Sequence, residues 1–281
     1  MNNIIELSGV SHSFGEHKVL SDINLKIEKG EIIGLLGPSG AGKTTLIKII
    51  TGQLLPNNGK ISINGIEMKG CKRDLSAIGI MMDDWGLYGR LSIYDNLKFY
   101  ARIFNVRINK IDEVLIKVGL IDAKKIPVCN LSKGMKNRVN FCRALLKDID
   151  ILFLDEPTSG LDPTTANELH NMILEQQKSG TTVFLTTHNM YEAQKLCSNV
   201  ALLNNGKIVE YGEPLEICKR YNHLNKIIVE RKNRETVILN NNKECLAELV
   251  SLIEQEEIST IHSTEPDLEK VFLELTGRRF V

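Results

Sequence analysis

The run EIIGLLGPSGAGKTT, from Glu31 to Thr45, restricts the fold of this chain more than any other segment. Glu31 to Leu36 is a nearly unbroken apolar stretch, the pattern of a strand buried on both faces of a parallel sheet. Before it, Asp22 to Glu28 alternates polar and apolar with Ile23, Leu25 and Ile27 on one face, as a half-buried strand does, and Lys29-Gly30 turns the chain. After it, Leu46, Ile47, Ile49 and Ile50 recur at helical spacing in a helix expected to open at Thr44. Strand, glycine-rich loop and helix in this order form the setting in which a P-loop works.

The loop chemistry follows from residue type. Gly37, Gly40 and Gly42 let the backbone curl so that successive N–H groups face phosphate oxygens, with Pro38, Ser39, Ala41 and Thr45 completing the nucleotide-binding segment. Lys43 is placed to reach the β- and γ-phosphates, and the Thr44 hydroxyl to ligate Mg²⁺. The helix adds the positive end of its dipole. Thr45 stands where a dinucleotide-binding G-x-G-x-x-G would need its third glycine, which excludes that motif.

Two segments imitate a GTPase: Asp83-Asp84-Trp85-Gly86 fits D-x-x-G, and Asn109-Lys110-Ile111-Asp112 fits N-K-x-D. Only 26 residues separate their starts, whereas several elements must fit between those motifs and one βα unit alone takes about 30 residues. Asn109 instead reads as a helix start, because Ile111, Val114, Leu115 and Val118 follow at helical spacing.

A second doubly buried strand, Ile151 to Leu154, ends in Asp155-Glu156. Asp155 at the carboxyl end of a core strand can hold the Mg²⁺ shell, and Glu156 beside it can orient or deprotonate a water attacking the γ-phosphate. A third strand, Thr182 to Thr187, ends at His188, which can hydrogen-bond the γ-phosphate and sense its presence.

Taken together these residues resemble the ATP-binding-cassette (ABC) ATPases, from about Ile4 to Tyr211. The resemblance implies an α/β P-loop NTPase core of RecA-like type, with an antiparallel β subdomain and an inserted α-helical subdomain at about residues 85–147. It makes Leu131, Ser132, Lys133, Gly134 and Met135 the signature loop, Asp162 the D-loop acid, His188 the switch histidine and Phe14 the aromatic on which adenine stacks. In that family two cassettes close on two ATP molecules, each site being completed by the other chain's signature loop. The implied partners are therefore a second cassette and a separate transmembrane permease subunit. The implied activity is ATP hydrolysis coupled to export, at the cytoplasmic face of a membrane.

This chain departs from the family in places. Asp83 stands where the family usually has a glutamine touching Mg²⁺ and the attacking water; aspartate still serves a hard cation but loses the amide donor and adds charge. Lys133 and Met135 replace the usual glycine and glutamine of the signature, in a variant associated with exporters whose cassette and membrane parts are separate chains.

Residues 1–221 are read as the ATPase domain and 222–281 as an accessory α+β domain, with NHLN (Asn222 to Asn225) as the connection. In the latter, KIIVER and TVIL are strand-like, and Asn233 to Asn242 reads as a solvated hairpin. Cys245, Leu246, Leu249, Val250 and Ile253 share a helical face, and Leu268, Val271, Phe272 and Leu275 form a second helix that Gly277 ends. The tail EPDLEKVFLELTGRRF resembles the extension of cassettes in ABC-2 type exporters of drugs, peptides or polysaccharides.

Charge and length limit the remaining classes. Thirty-five Lys and Arg balance thirty-five Asp and Glu, so no global field favours nucleic acid. Only 89 residues separate Lys43 from Ser132, which leaves no room for the long coiled coils of the chromosome and repair members of the family. No apolar run approaches the roughly 20 residues of a membrane helix, and the first residues lack a secretory layout, so a cytosolic chain is expected. Six cysteines without C-x-x-C or metal spacing read as reduced, partly buried thiols. A catalytically silent cassette paired with an active one is the other alternative; Glu156 and His188 argue against it, while Asp83 and Lys133 keep it open.

Overall fold

Residues 3–70, 75–82, 86–222, 226–243, 245–255, 257–264 and 266–277 are described by the computed structural model. The chain divides into two compact units, with the boundary between Tyr211 and Gly212.

The first unit begins with β1 (Asn3–Phe14), β2 (His17–Glu28) and β3 (Ile32–Leu36), then α1 (Lys43–Ile50). It continues through β4 (Asn58–Ile63), β5 (Ile66–Glu67) and β6 (Ile78–Met81) to the helices α2 (Ile93–Ile103), α3 (Lys110–Lys117) and α4 (Lys133–Ala144). The last stretch alternates β7 (Ile151–Asp155), α5 (Pro163–Lys178), β8 (Thr182–Thr187), α6 (Met190–Leu196), β9 (Asn199–Asn204) and β10 (Lys207–Gly212).

Two sheets result. Strands in the order β2-β1-β4-β5 pair antiparallel, and strands in the order β10-β9-β3-β8-β7-β6 form the larger sheet. In the larger one β9, β3, β8, β7 and β6 run parallel, and every residue of β3, β7 and β8 is buried, as strands covered on both faces must be. Leu46, Ile47, Ile49 and Ile50 of α1 are wholly buried in one core with Leu7 and Ile27 of the antiparallel sheet and Phe153 and Phe184 of the parallel sheet. A helix apolar on several sides is stable only when covered on several sides, and each such side chain contributes about 1.5–3 kcal/mol on burial. The P-loop is thereby bolted to both sheets. Register does the rest: Leu36 pairs with Thr187 and Asp155 with Thr186, so the carboxyl ends of β3, β7 and β8 finish level.

The helical segment has its own supports. Ser92 caps α2 by accepting from the Asp95 N–H at 3.0 Å, and the buried Asn96 donates to the Tyr88 carbonyl at 3.0 Å. Asn109 is the N-cap position of α3, so the apparent guanine-reading motif is a helix N-terminus. None of the described helices is long and apolar enough to cross a membrane.

The second unit contains α7 (Pro214–Arg220), β11 (Lys226–Arg231), β12 (Thr236–Asn240), α8 (Cys245–Glu254), β13 (Ile258–Ser263) and α9 (Leu268–Thr276). Its sheet runs β12-β11-β13, antiparallel throughout. The apolar stripe expected on α8 is only half used. Leu252 is buried with Val229 and Leu239, and Cys245 and Leu249 pack there too, while Leu246, Val250 and Ile253 are exposed. A three-stranded sheet offers one narrow apolar face, too small to cover a stripe that wide. Leu268, Val271 and Phe272 of α9 are fully buried, and Gly277 ends that helix in the left-handed conformation at φ 66°.

Among the described residues, Cys129, Cys142, Cys197, Cys218 and Cys245 form no disulfide. Burial pushes the Cys142 and Cys197 thiols up, which keeps them protonated and unreactive. Cys71 lies outside the described residues.

Candidate nucleotide-binding site

The loop after β3 closes over a cavity of about 400 Å³ lined by Pro38, Ser39, Gly40, Gly42, Lys43, Thr44 and Thr45, with Val19 from β2 and Glu156 from beyond β7. Gly37 and Ala41 face inward instead. A Cβ on Gly37 would lie 2.5 Å from the Leu203 carbonyl oxygen, so only glycine lets the loop rest on β9. Gly40 and Gly42 hold φ of 80° and 108°, the left-handed region that other residues enter at a cost. The helix starts one residue earlier than expected, at Lys43, because Gly42 itself is the N-cap.

Three strand ends converge on this loop. Lys43, 8% exposed, places Nζ 2.6 Å from the Gly37 carbonyl and 3.1 Å from Glu156 Oε1. Thr44 donates from Oγ1 to Asp155 Oδ2 at 2.8 Å. The other carboxylate oxygen, Asp155 Oδ1, accepts from Thr186 Oγ1 at 2.5 Å, so a neighbouring strand fixes its orientation. Glu156 Oε2 meets His188 Nδ1 at 2.6 Å, joining the ends of β7 and β8. Glu156 itself has φ 50°, a strained conformation for a residue with a side chain. Its N–H donates to the Thr186 carbonyl at 3.1 Å.

The Thr44–Asp155 pair is the point at which a divalent ion could sit. A hydroxyl and a carboxylate facing each other are hard oxygen donors, the set that Mg²⁺ prefers. Asp83, the third metal ligand expected from the sequence, lies outside the described residues. Phe14 is 52% exposed and stands edge-on to His12, with ring centroids 4.6 Å apart, leaving most of its surface open to a planar partner.

The segment Leu131 to Met135 is not among the residues lining this cavity. Leu131 is buried, whereas Ser132 and Lys133 are exposed at the opening of α4. Ser132 Oγ accepts from the Met135 N–H at 3.2 Å and so caps α4. Gly134 sits so close to α5 that a Cβ there would lie 2.5 Å from the Thr165 methyl carbon. Asp162 caps α5, accepting from the Thr165 N–H at 3.0 Å and from its hydroxyl at 2.6 Å. The Thr165 hydroxyl holds the Asp162 carboxyl below its ordinary range.

Sequence reasoning missed Thr186, although a threonine pair inside the otherwise apolar TVFLTT was a visible signal. It also missed Thr158, His170 and Glu192, whose association rests on packing between distant segments.

The chain has relatives among known proteins. The family profile described as ABC transporter matches residues 20–159. The fluoroquinolones export ATP-binding protein of Mycobacterium tuberculosis is 37% identical over 261 residues, covering 90% of this chain and 86% of that protein. A lantibiotic transport ATP-binding protein of Streptococcus pyogenes is 34% identical over 232 residues, covering 82% of this chain and all of that one. Among solved structures, an ATP-binding subunit of an ABC transporter superposes with a TM-score of 0.70 at 28% identity, over 78% of this chain and 93% of that one.

Proposed function

This chain belongs to the ATP-binding proteins of ABC transporters, an ATPase subunit that powers export, and on that premise we propose how its residues divide the work. The observation that carries the reading is the convergence of Lys43, Thr44, Asp155, Glu156 and His188 at the level ends of three parallel strands. Backbone N–H groups of the loop and Lys43 hold the phosphates of ATP. Glu156 acts as the base that orients and deprotonates the attacking water, and His188, hydrogen-bonded to it, responds to the γ-phosphate. Lys43 is shared: incoming phosphate competes with Glu156 Oε1 for its ammonium, which frees the carboxylate when nucleotide is present.

Thr44 and Asp155 would hold Mg²⁺, with Asp83 as a further ligand; bound there, the ion would offset phosphate charge. Phe14 stacks on the adenine. Ser132 and Gly134, at the N-terminus of α4, serve a nucleotide held by a second cassette, which accounts for their position outside this chain's own cavity. ATP draws the two cassettes together because its γ-phosphate contacts both chains, and hydrolysis removes that differential affinity.

The membrane partner is a separate permease chain, and the helical segment presents the surface for it: Tyr88, Leu91, Phe99 and Ile103 are all exposed. Cargo is chosen by that chain. The first unit carries the ATPase and the second is an accessory module.

Substituting Glu156→Gln tests the division of labour. With ATP and Mg²⁺ the variant is expected to elute as a dimer and to lose about 100-fold or more in turnover, the contribution of a positioned base. A monomer with full turnover refutes it.

A further inference from the structure

A buried polar cluster holds the loop that follows Glu156, and no hydrogen bond among the described residues joins it to the groups named above as meeting nucleotide. Glu192, in the first turn of α6, is completely buried, and its backbone N–H is capped by the Asn189 side chain at 3.2 Å. Its Oε1 accepts from the Thr158 hydroxyl at 2.8 Å and stands 3.0 Å from Nε2 of His170, which is buried on α5. Its Oε2 has no hydrogen-bond partner among the described residues, and neither has His170 Nδ1. A leucine or methionine would fill that space without the desolvation penalty of a carboxylate. The carboxylate therefore needs a reason, and among the described residues the loop it grips is the one that follows Glu156.

The same loop is gripped from the opposite side. Asn137 of α4, 4% exposed, donates from Nδ2 to the Pro157 carbonyl at 2.8 Å. Pro157 and Thr158 are thus tied to α4 and α6 immediately after a residue held at φ 50°. Backbone in that region persists only where its surroundings over-determine it, and these two ties supply the determination from the C-terminal side. Thr186 supplies it from the strand side.

We propose that Glu192, oriented by His170, is a positioning residue of the ATPase: through Thr158 it fixes the backbone after Glu156 and so aims the Glu156 carboxylate at the γ-phosphate side of the cavity. This rests on Glu156 being the base. It follows that movement of α6, which begins two residues after His188, or of α4, which Ser132 opens, reaches Glu156 through side chains already in contact.

The test uses the full chain and phosphate release from ATP with Mg²⁺. Thr158→Val keeps the shape and removes the donor; kcat is expected to fall about tenfold, because misplacing a reacting group by a fraction of an ångström costs that much. KM for ATP stays within about twofold, and Thr158→Ser, which keeps the hydroxyl, restores most of kcat. Glu192→Gln, which retains an acceptor for Thr158, is milder than Glu192→Leu. Placed on Glu156→Gln, Thr158→Val causes no further loss, since both act through one carboxylate. Wild-type kcat in Thr158→Val, serine no better than valine, or losses that multiply in the double variant each overturn the proposal. Failure of the base assignment is read separately, as full turnover in Glu156→Gln alone.

Discussion

Gly37 is where the structure makes the sharpest demand on a single atom. An added Cβ would lie 2.5 Å from the Leu203 carbonyl oxygen, where ordinary contact begins at 3.4 Å, and 3.2 Å from the Ala41 Cβ. The carbonyl belongs to β9, which is paired to β3 and cannot retreat without breaking the sheet. The loop must therefore move, by about 0.9 Å in a close-packed interior. Overpacking of this kind costs about 1–3 kcal/mol. For a unit of roughly 200 residues each kcal/mol lowers Tm by about 2–4 °C, so Gly37→Ala should melt about 2–12 °C lower in scanning fluorimetry. The larger effect is functional. A shift near 1 Å in the backbone proposed to hold the phosphates should lower kcat/KM for ATP by about 10- to 100-fold in a phosphate-release assay. Gly89→Ala is the control, because its Cβ would meet only the Cys129 Cβ at 3.7 Å and its backbone is unstrained. If Gly37→Ala melts and turns over like wild type, the packing of the loop against β9 is not what holds it.

Two further outcomes follow from the same site. Thr186→Val removes the donor to Asp155 Oδ1 while keeping the volume, so half-saturating Mg²⁺ for nucleotide binding should rise about 10- to 100-fold, as loss of a ligand's outer partner does; an unaltered titration contradicts the assignment of Asp155. Asp162 has its carboxyl held low by Thr165, so its cap stabilises the native state above the unfolded carboxylate range and loses that contribution as pH falls through the lowered folded value. In thermal melts Asp162→Ala should therefore be less stable than wild type at neutral pH, with the gap closing in acid, and a gap independent of pH argues against the cap.

Much of this site was legible in the sequence because its chemistry is local. Gly37 to Thr45 is one continuous segment whose glycines, lysine and hydroxyls each answer a backbone or phosphate requirement within nine positions. Asp155-Glu156 and His188 stand out because each ends a run too apolar to be anything but a central strand. The parallel sheet is likewise written in three such runs. Other parts leave weaker traces. The long strand β1 mixes Glu6, Ser8, Ser11 and Ser13 with apolar residues and carries register shifts against β2, which blurs its period. The shared apolar face of α8 is only partly covered, since periodicity reports what a helix could bury and not how wide a face its neighbours offer.

The supports of the catalytic loop were illegible for a different reason. Asn137, Thr158, His170 and Glu192 come from four separate segments, and no spacing between them encodes a meeting that only packing creates. Each alone is unremarkable: a polar residue on a helix or in a turn. What marks them is a cost, namely Asn137, His170 and Glu192 buried and Thr158 half-buried, linked by hydrogen bonds to the loop that follows one left-handed residue. Strain of that kind relaxes unless neighbours hold it, so the residues that hold it are bound to the chemistry even though none touches nucleotide. On the proposed division of labour the P-loop grips ATP, and the ties on Pro157 and Thr158 keep the carboxylate of Glu156 aimed between turnovers.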